Sequence, residues 1–455
     1  MSTWRASGEA LSRSVLAVVA CCALVVPGAA VAGLMGDRVE LTMYGRIGVA
    51  WSPSGRLVTG RSLNLLGNSQ GGRFEEGDYL EPTIKFHILK PEKPETEPWI
   101  QAVLTPAIFA RNGSFLSAFS NGFDQTMGTE IFQAYLEAGN IFTPDLKLWA
   151  GARFYRGGDV HIADYFYFNN LSTQGAGVKW KALDVAVLLE TSRGGANNSL
   201  YALDADLDGD VDLQRQRTVL VGQYTMPFGK HSVQGLAEIH YLPFLRSTGI
   251  AADRPGDFGA VIGAKLHLEL PTEGSFNDLS VRYGYGLANG SIGGGQTWNT
   301  FGAADVNGTY SGAGGLEVVE HLLYNFNKSF SLNAYGILHW GKGASTSTTD
   351  NGLDFSLGAR GFIYLGDRFH LITEGSFQGA SFGGAPLAAA TKFSLVPTIV
   401  PTGERSVWAR PHLRFIYTLA IYNHWAQTIL LSPYLQSEGP APVGHFLGAR
   451  AEWWF

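Results

Sequence analysis

The sequence predicts an all-β fold, an antiparallel transmembrane β-barrel closed on itself, and three observations carry that expectation. The chain opens on a short apolar export leader. The remainder alternates apolar and polar residues with period two and holds no long apolar run. It ends on an alternating strand whose last residue is aromatic, Phe455.

The leader has a basic start at Arg5 and Arg13 and an apolar core over residues 14–26 (SVLAVVACCALVV), too short to span a bilayer comfortably as a helix. Ala30-Val31-Ala32 is a small-x-small cleavage site. Residues 1–32 are therefore expected to be a signal peptide and 33–455 one barrel domain. Both cysteines, Cys21 and Cys22, fall in the leader. The exported part then has no disulfide and must rest on a large hydrogen-bonded sheet.

With the leader removed, Arg5, Arg13 and Glu9 go, leaving 31 Lys and Arg against 38 Asp and Glu, a net charge of −7. That balance argues against a nucleic-acid partner, which asks for a basic patch. Charged residues make up 16% and hydrophobic ones 45% of the chain, and mean hydropathy is near zero. Glycine (58) and the aromatics (27 Phe, 18 Tyr, 11 Trp) are abundant. This is the composition of strands with one face in lipid and one in water, whose hydropathies cancel.

Individual strands show the two faces. Residues 39–51 alternate in VELTMYGRIGVAW, and residues 146–154 put Lys147, Trp149 and Arg153 opposite Leu146, Leu148, Ala150, Ala152 and Phe154. Over residues 408–417, Trp408, Arg410, His412 and Arg414 share one face while Ala409, Pro411, Leu413 and Phe415 share the other. Arg, His and Arg in succession enter hydrocarbon only at roughly several kcal/mol per charge, so that face is expected to line water. At the end, Leu447, Ala449, Ala451, Trp453 and Phe455 alternate with Gly448, Arg450, Glu452 and Trp454. A last strand of this kind resembles the signal read by the outer-membrane insertion machinery. About sixteen to eighteen strand-like segments follow one another, with a polar turn at residues 91–98. A barrel of that size leaves an aqueous lumen and removes sheet edges, which lipid does not tolerate.

Residues 153–178 read RFYRGGDVHIADYFYFNNLSTQGAGV. The Arg-Phe-Tyr triplet, Asp-Val-His, the following Asp, the aromatic run and Gly-Ala-Gly, in that order, resemble the signature stretch of the maltoporin family, the sugar-specific trimeric porins of eighteen strands. Tyr44-Gly45-Arg46 leading to Trp51 resembles the family's first strand, and Val407-Trp408-Ala409-Arg410-Pro411 with the aromatic last residues resembles its end. The resemblance implies a homotrimer in the outer membrane of a Gram-negative bacterium, surrounded by lipid, with an inward-folded constriction loop and passive diffusion of sugars such as maltose and maltodextrins.

In that family a line of aromatic rings, the greasy slide, runs down one wall. Sugar C–H faces stack on the rings, and charged groups opposite bond to the hydroxyls. Carried over, the slide positions are Tyr44, Trp408 and Trp454, with Tyr79 as a further member. Leu279 falls at another slide position and interrupts the line. Phe123, with Phe115 and Phe119 as rivals, matches a loop aromatic that reaches the neighbouring subunit. Arg46, Arg73, Asp159, His161 and Asp164 match the polar track and constriction; Glu81, Arg410 and Glu452 join them from the alternation of faces. The Asp159-x-His161 pair reads as hydrogen bonding, not as metal binding or catalysis.

The chain also departs from the family pattern. Gly157 stands where an Arg is usual, with Arg156 beside it as a substitute; Phe166 replaces a Tyr, Asn169 an acid and Gln133 an Arg. These changes predict a wider, less discriminating constriction and leave the sugar open. Residues 204–212 (DADLDGDVD) fit the start of a calcium loop, with Asp204, Asp206, Asp208, Asp210 and Asp212 as candidate ligands to a structural ion; no other cofactor is required. Position twelve is Arg215, so it is not an EF-hand. Two alternatives stand beside the sugar channel: a general diffusion porin, and a barrel used as the platform of an outer-membrane enzyme or adhesin. The second would need a catalytic cluster or a large surface domain, and neither is found.

Overall fold

The structure, a computed structural model, describes residues 37–51, 61–110, 113, 115, 127–190, 200–206, 211–292, 294 and 296–455. The expected signal peptide, Phe119, Phe123, Asp208 and Asp210 lie outside the described residues.

Eighteen antiparallel strands run from Val39–Trp51 to Val443–Trp454 in one sheet. The last strand pairs back onto the first, from Tyr44↔Trp454 to Trp51↔Leu447, so the sheet closes as the sequence predicts. Two further pairs are separate from this sheet, the hairpin of Arg156–Val160 and Tyr165–Asn170 and the short pair Ala202–Leu203 and Leu213–Gln214. Short helices, His424–Thr428 and Pro433–Glu438, precede the last strand.

Register assigns every side chain to a face. Tyr44 and Arg46 share the inner face with Glu81 and Tyr79 of the second strand, Tyr79–Leu89, and with Trp454 and Glu452 of the last. Ile47, Val49 and Trp51 of the same first strand are exposed outside. The pattern repeats round the barrel: Leu220, Ile262, Leu357 and Phe415 are exposed, while the polar Arg217, Glu238, His240, Glu317, Asp354 and Lys392 are buried within.

Two readings of faces and bounds are corrected. The strand expected from Trp408 begins at His412 and runs His412–Tyr422, because Pro411 has no N–H to give the ladder. Trp408 and Arg410 sit on the connection before it. Leu279, taken as an interrupted slide position, points outward from the strand Phe276–Gly286, alternating with buried Ser280 and Arg282. A shift of one residue in reading a strand moves a side chain to the other face.

The core lies inside the barrel. Residues 61–78 run along the inner wall: Ser356 donates to the Gln70 carbonyl at 2.7 Å, Ser376 to that of Gly71 at 2.9 Å and Tyr422 to that of Leu63 at 2.7 Å. The hairpin at 156–170 reaches the inner face of distant strands. Tyr165 donates to Glu317 at 2.6 Å, Tyr167 to Asp278 at 3.1 Å and Arg282 to the Phe168 carbonyl at 3.0 Å. One apolar cluster packs Val160, Ile162 and Phe168 of the hairpin on Val219, Val221 and Val319 of the wall. A second packs Leu63, Leu65 and Phe74 on Ile372, Val396 and Ile416. Phe168 takes φ +66°, a left-handed conformation that bulky residues rarely adopt. Its N–H on Glu317 and its ring over Gly263, where a Cβ would come within 3.0 Å, hold it there.

Lys392 is the cation under the 61–78 segment. Its Nζ donates to Glu75 at 3.0 Å and to Asn64 at 2.7 Å, with all three residues buried. Removing one partner of a buried pair costs about 3–5 kcal/mol. Lys392→Ala is therefore expected to expose residues 61–78 to protease while the barrel keeps its heat-modifiable mobility on gels. Proteolysis unchanged from the parent protein would show that the pair does not hold the segment.

Candidate functional site

The inward segments leave a strip of inner wall around the first, second and last strands, and there the expected residues meet. The rings form a contiguous series. Tyr79 lies 5.9 Å from Tyr44, Tyr44 6.5 Å from Trp454, Trp454 5.6 Å from His161, and His161 5.7 Å from Trp408. Tyr44, Tyr79 and Trp454 come from the alternation of neighbouring strands. Trp408 comes from the connection before its strand and joins the others through the His161 ring of the hairpin. Trp408 is 42% exposed, so its ring face is open.

Guanidinium groups lie over these rings. Arg46 is 4.9 Å from the Tyr79 centroid, Arg73 is 5.8 Å from that of Tyr44, and Arg410 is 3.9 Å from that of Trp454. Their other donors are taken by two carboxylates. Glu76 accepts from Arg73 at 3.0 Å and Arg61 at 2.8 Å and pairs with Arg46 at 3.1 Å. Glu452 accepts from Arg410 at 2.8 Å, from Tyr44 at 3.0 Å and from Arg414. Arg73 also donates to the Tyr44 hydroxyl at 2.7 Å. Burial pushes the Glu76 carboxyl up, but Arg46, Arg73 and Arg61 outweigh it and hold it well below the usual carboxylate range. Glu76 is thus a fixed negative charge among three cations.

The hairpin faces this wall with the remaining expected residues. Asp164 pairs with Arg61 at 2.8 Å and Arg73 at 3.6 Å. His161 receives Arg410 on Nε2 at 3.4 Å, which leaves Nδ1–H towards Asp159, 3.8 Å away. Burial pushes the His161 imidazole down, so the ring is neutral and serves as a hydrogen-bonding and stacking group. Arg156 is clamped between Phe154 at 3.6 Å and Phe166 at 3.9 Å from the ring centroids. Phe166 therefore has a role that needs no hydroxyl: it fixes the direction of a cation. Glu81 bonds to the Tyr79 hydroxyl. A groove of about 390 Å³ beside these groups is lined by Arg46, Arg61, Glu76, Tyr79, Phe109 and Glu130.

Sequence reading left Arg61, Glu76 and Arg414 out of the site, although it set Arg414 on the water-lining face with Arg410 and His412. Arg61 and Glu76 sit in an irregular segment whose direction no periodicity reveals. Of the departures, Gln133 stays structural, donating to Thr105 at 3.0 Å and accepting from the Phe154 N–H at 3.0 Å. Asn169 is buried in the hairpin.

The acidic loop lies apart. Ligand oxygens of Asp204, Asp206 and Asp212 come within 4.8 Å of one another. One oxygen of Asp212 also accepts from the Ala205 N–H at 2.7 Å. Three carboxylates of this donor set suit a hard cation.

Comparison with known proteins finds similar chains. A family model described as LamB porin matches residues 39–455. The chain is 25% identical over 416 residues to maltoporin 1 of Klebsiella pneumoniae, covering 88% of this chain and 90% of that protein. It is 23% identical over 412 residues to a maltoporin of Vibrio cholerae, covering 83% and 87%. Among solved structures it is similar to the anion-selective porin from Comamonas acidovorans, at 10% identity, TM-score 0.42 and coverage of 91% and 100%. OccAB4 of Acinetobacter baumannii is similar at 10% identity, TM-score 0.44 and coverage of 92% and 98%.

Glu76→Gln keeps the shape and removes the shared negative charge from Arg46, Arg61 and Arg73. The zero-current potential across a salt gradient is expected to move towards anion permeation. No shift would place Glu76 out of reach of the ion path.

Proposed function

The chain belongs to the LamB porin family, β-barrel channels of the Gram-negative outer membrane and not enzymes, and from that premise we propose that it passes sugars by facilitated diffusion along the ring series from Tyr79 to Trp408. The observation that carries this reading is the contiguous series of Tyr79, Tyr44 and Trp454 on the wall, His161 on the hairpin and Trp408 on the connection, flanked by Arg46, Arg73, Arg410, Glu76 and Glu452. A pyranose ring has apolar faces and a polar rim. It can slide from ring to ring while its hydroxyls exchange bonds with the charged groups beside them. The hairpin, with Arg156 held between two phenyl rings, acts as the constriction, facing Tyr79 and Glu81. Transport needs weak binding, because a sugar held tightly would leave slowly.

Maltose and linear maltodextrins are the first substrates to test, since the named relatives are maltoporins and a row of rings suits a linear chain. Single-channel current through the purified protein in a planar bilayer, titrated with maltose, longer maltodextrins and sucrose, is expected to show saturable block by the maltodextrin series. Trp454→Ala and Trp408→Ala should each weaken that block by about 2- to 12-fold, from about 0.5–1.5 kcal/mol per aromatic contact. An open channel that no sugar blocks would overturn the proposal and leave a general diffusion porin.

Two structural parts of the proposal follow from the sequence. The protein assembles as a homotrimer, to be read as the mass of the detergent-solubilised particle. Asp204, Asp206 and Asp212 hold a calcium ion that stiffens their loop, with the remaining coordination from other oxygen donors. Calcium is then expected to raise the temperature of heat modification and a chelator to lower it, with Asp204→Asn insensitive to both. A parent protein indifferent to calcium would remove the ion from the reading.

A further inference from the structure

We propose that the outward face centred on Glu320 and Asn277 is a contact with a second copy of this chain inside the membrane. The strand Gly314–Asn327 alternates strictly, with Val319 and His321 buried inside and Glu320 between them pointing out. Register places Glu320 directly opposite Leu279 on one neighbouring strand and Gly336 on the other. Among the described strand residues, outward positions hold no other Asp, Glu, Lys or Arg except Lys342, which sits at the rim beyond Trp340.

Depth makes this position unusual. Four residues one way along the strand is Tyr324, which clusters with Phe326 at 4.7 Å, and Phe326 with Phe330 at 5.3 Å. Four residues the other way is Leu316, opposite Tyr283 and Trp340. Outward aromatics at both ends mark the two interfaces of the apolar band. Glu320 is midway, roughly 13 Å along the strand from each at about 3.3 Å per residue. Exposed neighbours around it are apolar: Leu279, Val281 and Leu357.

Lipid has only acyl chains at that depth and offers no donor to a carboxyl group, so a lipid-covered Glu320 would be a cost with no return. Asn277 donates one N–H to Glu320. An amide has a second N–H and a carboxyl group a second oxygen. The patch therefore carries one donor and one acceptor side by side and is complementary to itself, as a two-fold contact requires. Two copies meeting here would exchange Asn277–Glu320 bonds across the contact. This contact lies outside the three-fold assembly proposed above and does not rest on the sugar reading.

The test is thiol crosslinking in intact outer membranes. Leu279→Cys lies beside the patch, and Leu220→Cys, also outward and 46% exposed, is the control on another strand. Leu279→Cys is expected to give a denatured band of two copies that Leu220→Cys lacks. Adding Glu320→Leu should abolish it, whereas Glu320→Gln, which keeps a donor and an acceptor, should retain it. A leucine facing lipid does not hinder insertion, and heat-modifiable mobility verifies that the barrel is folded. Equal crosslinking at both sites, an adduct with a different protein, a ladder reaching three copies, or a band unaffected by Glu320→Leu would each overturn the proposal.

Discussion

The pairing of Val39–Trp51 with Val443–Trp454 is what the rest of the molecule depends on. In hydrocarbon a strand edge leaves N–H and C=O groups without partners, at a cost of several kcal/mol each, so a sheet in a membrane must close. Closure here joins residues from opposite ends of the chain. Tyr44 comes to lie opposite Trp454, and Arg46 opposite Glu452. The aromatic wall and its charged flank are thus by-products of the bonds that eliminate the edge. A barrel closed in another register would still be a barrel, but Tyr44 would not meet Trp454.

The interior inverts the order of a soluble protein. Apolar residues cover nearly all of the outside, and most charges sit within, many of them paired with a neighbour. Glu317 pairs with Arg282 at 3.0 Å, Glu374 with Arg360 at 2.6 Å and Glu75 with Lys392 at 3.0 Å. Such pairs are poor sources of net stability but costly to break singly. Their effect is to specify position: segment 61–78 and hairpin 156–170 each present matched groups to particular strands, and their apolar residues fill the space between. The passage is what these two segments leave open.

In the hairpin, Phe154 and Phe166 decide where the Arg156 guanidinium group points. Glu76, supplied by the other inward segment, gathers Arg46, Arg61 and Arg73 around one carboxylate. The charge around the rings therefore comes from both inward segments and not from the hairpin alone.

The sequence by itself determined the architecture and most inner-facing residues, because alternation is local. Each strand states which of its residues avoid hydrocarbon, and Tyr44, Arg46, Glu81, Glu452 and Trp454 could be assigned inward without knowing any partner. Local signals failed where the backbone is irregular or a face was inferred by alignment. Trp408 lies before its strand and meets the other rings only through His161; Leu279 points to the outside; Arg61 and Glu76 belong to a segment with no period. Only the tertiary structure decided which strands are neighbours, how the inward segments cross the lumen and which charges meet. Those are long-range pairings, selected by the register of closure and the matching of buried charges, and no window of the sequence contains both partners.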